Sequence, residues 1–428
     1  MKRKLLFAER AIYGDGKKAF NAVVPIKING SFPAENLHYA LRKIQEKHPL
    51  LKSYIATDAH NMPWFVVDED ANNDIPVKVV TRISDDDWET EVTNQWSKPF
   101  DTDKGPLMRV IWIKGEEASD LILVMHHCLC DGRTAMSILN DLLKVLDNRD
   151  AAIGYQPPIL SMYDIVPAQI LENRKRRIKA KFKGILNHFL LWIIPVKKKA
   201  IERKKDYMIH WKLDKDLGDQ LIRLSKSSGA TINTLLCVII LNAFKEIRKE
   251  KFFNNIACPV DIRKYMPRIN EDSIFAFVSM VALSFDNKLD FISNARKMQE
   301  IINAKTAKLD PHQMIMMFEQ SHSSINYLID FLKYTKPDND FLFSNLGRIV
   351  IEHQYKSFEV ETIYSPSAVG PFGNTTGFVA STFRGLMDFT FIGNELFVPY
   401  DEALAIKNKI VSIIQEQTAH LTPATVTA

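Results

Sequence analysis

LILVMHHCLCDGRTAMSIL, at residues 121–139, changes character three times in nineteen residues. Leu121 to Met125 is an apolar run short enough for a strand. His126 and His127 end it, Asp131 and Gly132 follow, and TAMSILNDLLKVLD (134–147) then repeats apolar residues at helical spacing, with Ile138, Leu142 and Val145 on one face. The pattern predicts strand, tight loop and helix, with Thr134 as the helix cap. Successive strand side chains point to opposite faces, so His126 and His127 cannot both serve one site. Both faces of LILVM are apolar, and parity alone does not say which histidine faces a cavity.

Several chemistries fit these residues. A histidine held at a strand end in an apolar setting stays neutral and basic, as a general base near pH 7 requires. Gly132 is expected to supply a turn that a Cβ would resist. Asp131 is placed either to fold back on a cation and fix the loop or to orient a ring nitrogen. His126, His127, Cys128 and Cys130 suggest a metal by composition, but contiguous ligands do not converge tetrahedrally, and no metal is expected. A nucleophilic Cys128 or Cys130 would need a base and a polarised setting. The remaining reading is a pair of packed core histidines.

Outward from this stretch, AVVPIKI (22–28) reads as a strand and Pro33 opens a helix through AENLHYALRKIQEK. DDDWETEVTNQW (85–96) reads as a helix, and PLMRVIWI (106–113) as a strand separated from LILVM by a polar KGEEASD turn. Beyond residue 207, helical patterns (216–229, 231–250, 291–308, 400–420) mix with strand patterns (255–263, 276–285, 340–351, 377–385, 386–393). The fold class is therefore α/β or α+β with two layers per half. The expected division is an N-terminal half at 1–165, a basic and apolar linker at 166–206 and a C-terminal half at 207–428.

Length and composition suit a globular chain of two ordinary domains: 428 residues, 46% hydrophobic and 25% charged. Four cysteines without a disulfide spacing favour reduced thiols and a cytoplasmic home. The apolar run near the N-terminus ends at Glu9, too early for a signal-peptide core, and no segment reaches the roughly 18 apolar residues of a spanning helix. Charge is uneven. Residues 174–205 hold thirteen Lys/Arg and one Glu, a local +12 against +5 for the whole chain, so the remainder carries −7. This block wraps an oily centre, ILNHFLLWIIPV, suited either to an anionic membrane interface or to a basic connecting helix docked on the protein itself. No base-reading motif accompanies it, so nucleic acid is not an expected partner.

HHCLCDG (126–132) resembles the HHxxxDG signature of the chloramphenicol-acetyltransferase-like superfamily, which includes peptide condensation domains and stand-alone alcohol or polyketide-associated acyltransferases. KHPLLKSYI (47–55), PFDTDKGPLMRV (99–110), VDIRKYMP (260–267) and FSNLGRI (343–349) are similar to further segments of that superfamily, in the same order. The DFGWG element of plant members is absent, with GPFGNTTG (370–377) a faint echo. The GxFVNT element of condensation domains survives only as AFVSM (276–280), and Lys52 stands where arginine is usual.

The resemblance implies two chloramphenicol-acetyltransferase-like halves forming a V, with a tunnel between them. It implies acyl transfer from a coenzyme A or acyl-carrier-protein thioester to an alcohol or amine, with no bound cofactor and no acyl-enzyme. His127 would be the base and His126 would pack inward. Asp131 would pair with Arg263 to hold the loop, and Ser344, Asn345 and Thr382 are candidate oxyanion or substrate contacts. A free-standing, monomeric cytoplasmic acyltransferase is expected, peripheral at a membrane if 174–205 meets lipid. The alternatives are a non-catalytic docking member of the same fold and a peripheral lipid-binding protein.

Overall fold

The structure is a computed structural model that describes residues 1–68, 73–196, 198, 203–276, 278–335, 339–374 and 376–419. Lys197 and Lys199 of the basic block, Phe277 of AFVSM and Thr375 of GPFGNTTG lie outside the described residues.

In chain order the strands are β1 (Lys2–Lys4), β2 (Asn21–Gly30), β3 (Tyr54–Thr57), β4 (Pro63–Val66), β5 (Val77–Thr81), β6 (Met108–Lys114), β7 (Ala118–His126), β8 (Asp206–Lys212), β9 (Ile256–Asp261), β10 (Val278–Leu283), β11 (Phe341–Arg348), β12 (Phe358–Ile363), β13 (Ser367–Val369), β14 (Gly377–Phe383) and β15 (Leu386–Asn394). They form a small sheet, β1-β4-β3, and two large ones. The first large sheet runs β12-β2-β7-β6-β5, with β13 also on β2, and the second runs β10-β9-β11-β14-β15-β8. The architecture is mixed α/β.

Burial explains the layers. The apolar face of helix Ala34–Lys47 (Leu37, Leu41, Ile44) and that of helix Gly132–Asp147 (Ile138, Leu142) pack with Val24, Leu123 and Met125 in one core. Helix Ile232–Arg248 is apolar nearly all round because it is enclosed. Its Leu235 and Phe244 share the second core with Phe341, Phe378, Phe389 and Phe391. A third cluster joins the two sheets, where Trp88 stacks on Tyr364 with ring centroids 3.9 Å apart, next to Val23, Met208 and Ile392.

Several expectations need correction. β7 begins at Ala118, three residues before the apolar run, because the fully buried Asp120 is held by Arg82 (Nε to Oδ2, 3.1 Å). FEVETI (358–363) carries no long apolar run. Phe358 and Val360 nevertheless face the core while Glu361 pairs with Lys27 (3.2 Å), and this β12 lies antiparallel on β2. The first sheet therefore draws on both ends of the chain. Within the basic block, Arg174–Ile193 is a single helix. Its small and polar residues dock on the protein and its large apolar ones face outward, the reverse of the docked-helix reading.

Candidate active site

β7 pairs antiparallel with β2 up to His126 opposite Asn21, and there the chain leaves the sheet. The two histidines then part. His126 is 1% exposed, between Tyr13 and Phe100, and its Nδ1 accepts the backbone N–H of Cys128 (3.2 Å). Burial first, then the neighbouring His127 and Arg109, push its pKa down to about 3. Such a ring stays neutral at physiological pH and is too weak a base to take a proton.

His127 is only partly buried. Its backbone N–H donates to the carbonyl of Phe20 (2.8 Å), and its Nδ1 lies 2.8 Å from the carbonyl oxygen of Cys130. A carbonyl can only accept, so Nδ1 carries the proton and Nε2 keeps its lone pair. The edge of Phe20 meets the imidazole at 4.9 Å and 76°, and Phe372 packs behind Phe20 at 5.7 Å. The cysteines between are not nucleophiles in this setting. Both are fully buried, burial pushes both thiols well up, and Cys130 Sγ lies 3.7 Å from Met125 Sδ.

Asp131, not Thr134, caps the helix Gly132–Asp147, accepting the N–H of Thr134 (3.0 Å). Its carboxylate also meets Arg263 at two points, Nη1 to Oδ2 at 2.5 Å and Nη2 to Oδ1 at 3.1 Å, with both side chains buried. Arg263 further donates to Thr134 Oγ1 (3.0 Å) and to the carbonyl of Phe275 (3.1 Å). The carboxylate is bonded by Arg263 and the Thr134 N–H, and Nδ1 of His127 is engaged by the Cys130 carbonyl. Of the two roles open to Asp131 in the sequence, the geometry realises loop fixing. Gly132 does not supply a left-handed turn. A Cβ there would stand 2.5 Å from Leu346 Cδ2, so its missing side chain leaves room for β11.

The segments that accompany the motif in sequence converge on it in space. Lys47 holds Asp141 of the motif helix (2.7 Å) and Asp272 (2.8 Å). Arg109, beside His126, bonds Gln95 (2.6 Å) and the Lys98 carbonyl (2.7 Å). The region around 260–267 supplies Arg263, and that around 343–349 supplies Leu346. Ser344 pairs in register with Val379 of β14, while the side-chain oxygen of Asn345 is taken by the N–H of Gly347 (2.8 Å). Thr382 pairs in register with Arg348 past a bulge. Among the described residues no hydrogen bond joins Ser344, Asn345 or Thr382 to His127. A shallow apolar cleft lined by Leu6, Phe7, Ile262, Phe275, Met314 and Phe318 opens on the side of Arg263's neighbours, Ile262 and Phe275.

Sequence reasoning passed over Phe20, Phe372 and the Cys130 carbonyl. Phe20 had no signal, since only the β2–β7 register brings it to His127. Phe372 lay inside the glycine-bearing GPFGNTTG loop.

A profile described as "Condensation domain" matches residues 3–332. The chain is 25% identical over 243 residues to bacitracin synthase 3 of Bacillus licheniformis, 55% of this chain and 4% of that protein. It spans less than a tenth of the length of the curated relatives it matches. Its fold is similar to that of a trichothecene 15-O-acetyltransferase from Fusarium sporotrichioides, with a TM-score of 0.72, 13% identity, and 97% and 95% of the two chains covered. It is likewise similar to that of polyketide synthase associated protein 5 from Mycobacterium tuberculosis, with a TM-score of 0.67, 15% identity, and 97% and 98% covered.

Proposed function

Starting from the condensation-domain family, to which this chain belongs, we propose that it transfers an acyl group from a thioester, of coenzyme A or a carrier protein, to an alcohol or amine, with His127 as general base. The observation that carries this reading is the 2.8 Å contact between His127 Nδ1 and the Cys130 carbonyl, which fixes the tautomer that leaves Nε2 able to accept a proton. Nε2 takes the proton of the acceptor O–H or N–H as that atom attacks the thioester carbonyl carbon. The tetrahedral oxyanion collapses, the C–S bond breaks, and the departing thiolate takes the proton back from the imidazolium. A thiolate leaves readily, so no covalent intermediate on the protein is required. The main contribution of the fold is to hold two substrates at one base, in a tunnel between the halves.

Asp131 and Arg263 act as positioning residues, since their bonds fix the loop that carries His127 and neither need touch substrate. Ser344, on β11, is a candidate donor to the oxyanion through its hydroxyl. Asn345 offers its amide N–H, and Thr382 lies a strand further away.

The test combines purified protein with acyl-CoA thioesters, candidate alcohols and amines, and a thiol-trapping dye. Acceptor-dependent thiol release that disappears in His127→Ala and survives in Cys128→Ala supports the reading. Release that persists undiminished in His127→Ala defeats it.

A further inference from the structure

Helix Arg174–Ile193 turns the usual arrangement of a surface helix inside out. Ala180 and Gly184 are buried, and Gly184 sits so close to Gln320 that a Cβ would stand 2.8 Å from the Gln320 Cβ. Asn187 Nδ2 reaches Met317 Sδ (3.6 Å), and His188 meets the ring of Tyr327 at 5.5 Å. Small and polar residues thus form the docked face. Ile178, Phe182, Ile185, Phe189 and Trp192 recur every three or four residues on the opposite face, each 52 to 65% exposed. Solitary exposed apolar residues are ordinary, but a continuous stripe of this size marks an interaction surface.

Charge identifies the occupant. The helix carries seven Lys/Arg and no Asp/Glu. Arg176 is paired with Asp310 (2.9 Å), and among the described residues the other six have no ion-pair partner. At 100° per residue, Arg174, Lys175, Lys179 and Lys181 flank the apolar stripe, where long side chains can lie along it and lift their charges to a headgroup layer. A second copy of this chain would bring the same cations against these, whereas an anionic bilayer supplies both apolar depth and negative charge. Because its opposite face is docked, the helix lies flat along the protein for roughly 30 Å, and no single described helix is long and apolar enough to cross a membrane.

We infer that helix Arg174–Ile193 is a membrane-surface anchor, which seats the protein in the plane of an anionic lipid interface through Ile178, Phe182, Ile185, Phe189 and Trp192. This inference rests on the helix alone and not on the acyl-transfer reading.

Co-sedimentation of the full chain with vesicles tests it, using an equal mixture of phosphatidylglycerol and phosphatidylcholine against phosphatidylcholine alone. Binding to the mixed vesicles should be at least about tenfold tighter and should weaken as salt rises. The pairs Phe182→Ser with Phe189→Ser, and Lys179→Gln with Lys181→Gln, should each lower it by at least about tenfold. Both pairs lie on the exposed face, and unchanged circular dichroism and thermal midpoint establish that they fold. Failure of the wild-type chain to sediment with mixed vesicles at low salt overturns the inference, and so does binding that both pairs leave intact. A dimer in light scattering that Phe182→Ser with Phe189→Ser converts to monomer, without vesicle binding, overturns it in favour of a second copy.

Discussion

The loop from His126 to Gly132 and the helix Arg174–Ile193 depart from the usual distribution of residues in opposite senses. The loop takes an aspartate, an arginine partner and an imidazole out of water. The helix leaves isoleucine, phenylalanine and tryptophan in it. In the loop the charged group and the partly exposed ring are answered within the chain, Asp131 by Arg263 and the Thr134 N–H, and His127 Nδ1 by a carbonyl, while the buried Nε2 of His126 has no hydrogen-bond partner among the described residues. On the helix the apolar stripe is answered by nothing in the described structure. A buried polar group with partners fixes geometry inside the molecule, whereas an exposed apolar face with cations beside it is directed at something outside. The two regions should therefore respond differently to substitution, the loop in activity and stability, the helix in partitioning.

His127→Ala should cut acyl transfer by roughly 10²- to 10⁴-fold, the range typical for loss of a general base, and leave the thermal midpoint nearly unchanged. Loss of fold instead would turn His127 into a packing residue like its neighbour. Arg263→Ala should cost about 3–5 kcal/mol in urea unfolding, because it strands the buried carboxylate of Asp131. The double variant Arg263→Met with Asp131→Asn should recover much of that loss. If the single variant is as stable as the wild type, the ion pair does not hold the loop.

His126 sharpens the contrast within the motif. Its folded pKa of about 3 lies below the ordinary histidine value, so the unfolded chain binds the extra proton first as pH falls. The stability contributed by the neutral buried ring is complete above about pH 6.5 and declines towards pH 3, on the order of 1 kcal/mol per pH unit. Asp120, held up to about 6 by burial, works in the opposite direction over part of that window. The measurement is therefore the difference between the wild type and His126→Asn, and equal slopes in the two proteins would show that the ring is not desolvated. Phe189→Ser gives the least effect on folding, within about 0.5 kcal/mol, since the side chain is already in water. A large destabilisation would mean that the stripe packs on this chain after all.

Much of the site was legible because it is local. The run from Leu121 to Leu146 shows its strand, its loop and its helix through periodicity, and the resemblance of five short segments pointed to acyl transfer. The cap was misread because Thr134 and Asp131 are both good capping residues. The choice between them depends on the backbone of the loop, which Arg263 pins from 132 positions away. β12 escaped because its alternation is short and half polar, and becomes a strand only by pairing with β2. The direction in which Phe182 and Phe189 face was equally beyond reach. A helix with oily and basic residues can dock either way, and Gly184 against Gln320 settled which side is close enough to the protein to be covered.

The amino-acid order alone carried most of the element types, the mixed α/β class and the strand, loop and helix around HHCLCDG, since these follow from side-chain periodicity and from residues within a few positions of one another. Folding in three dimensions assigned His126 to the interior and His127 to the partly open side, closed Asp131 on Arg263, and turned the stripe of helix Arg174–Ile193 outward. Those outcomes depend on contacts between segments far apart in the chain, which no local pattern encodes.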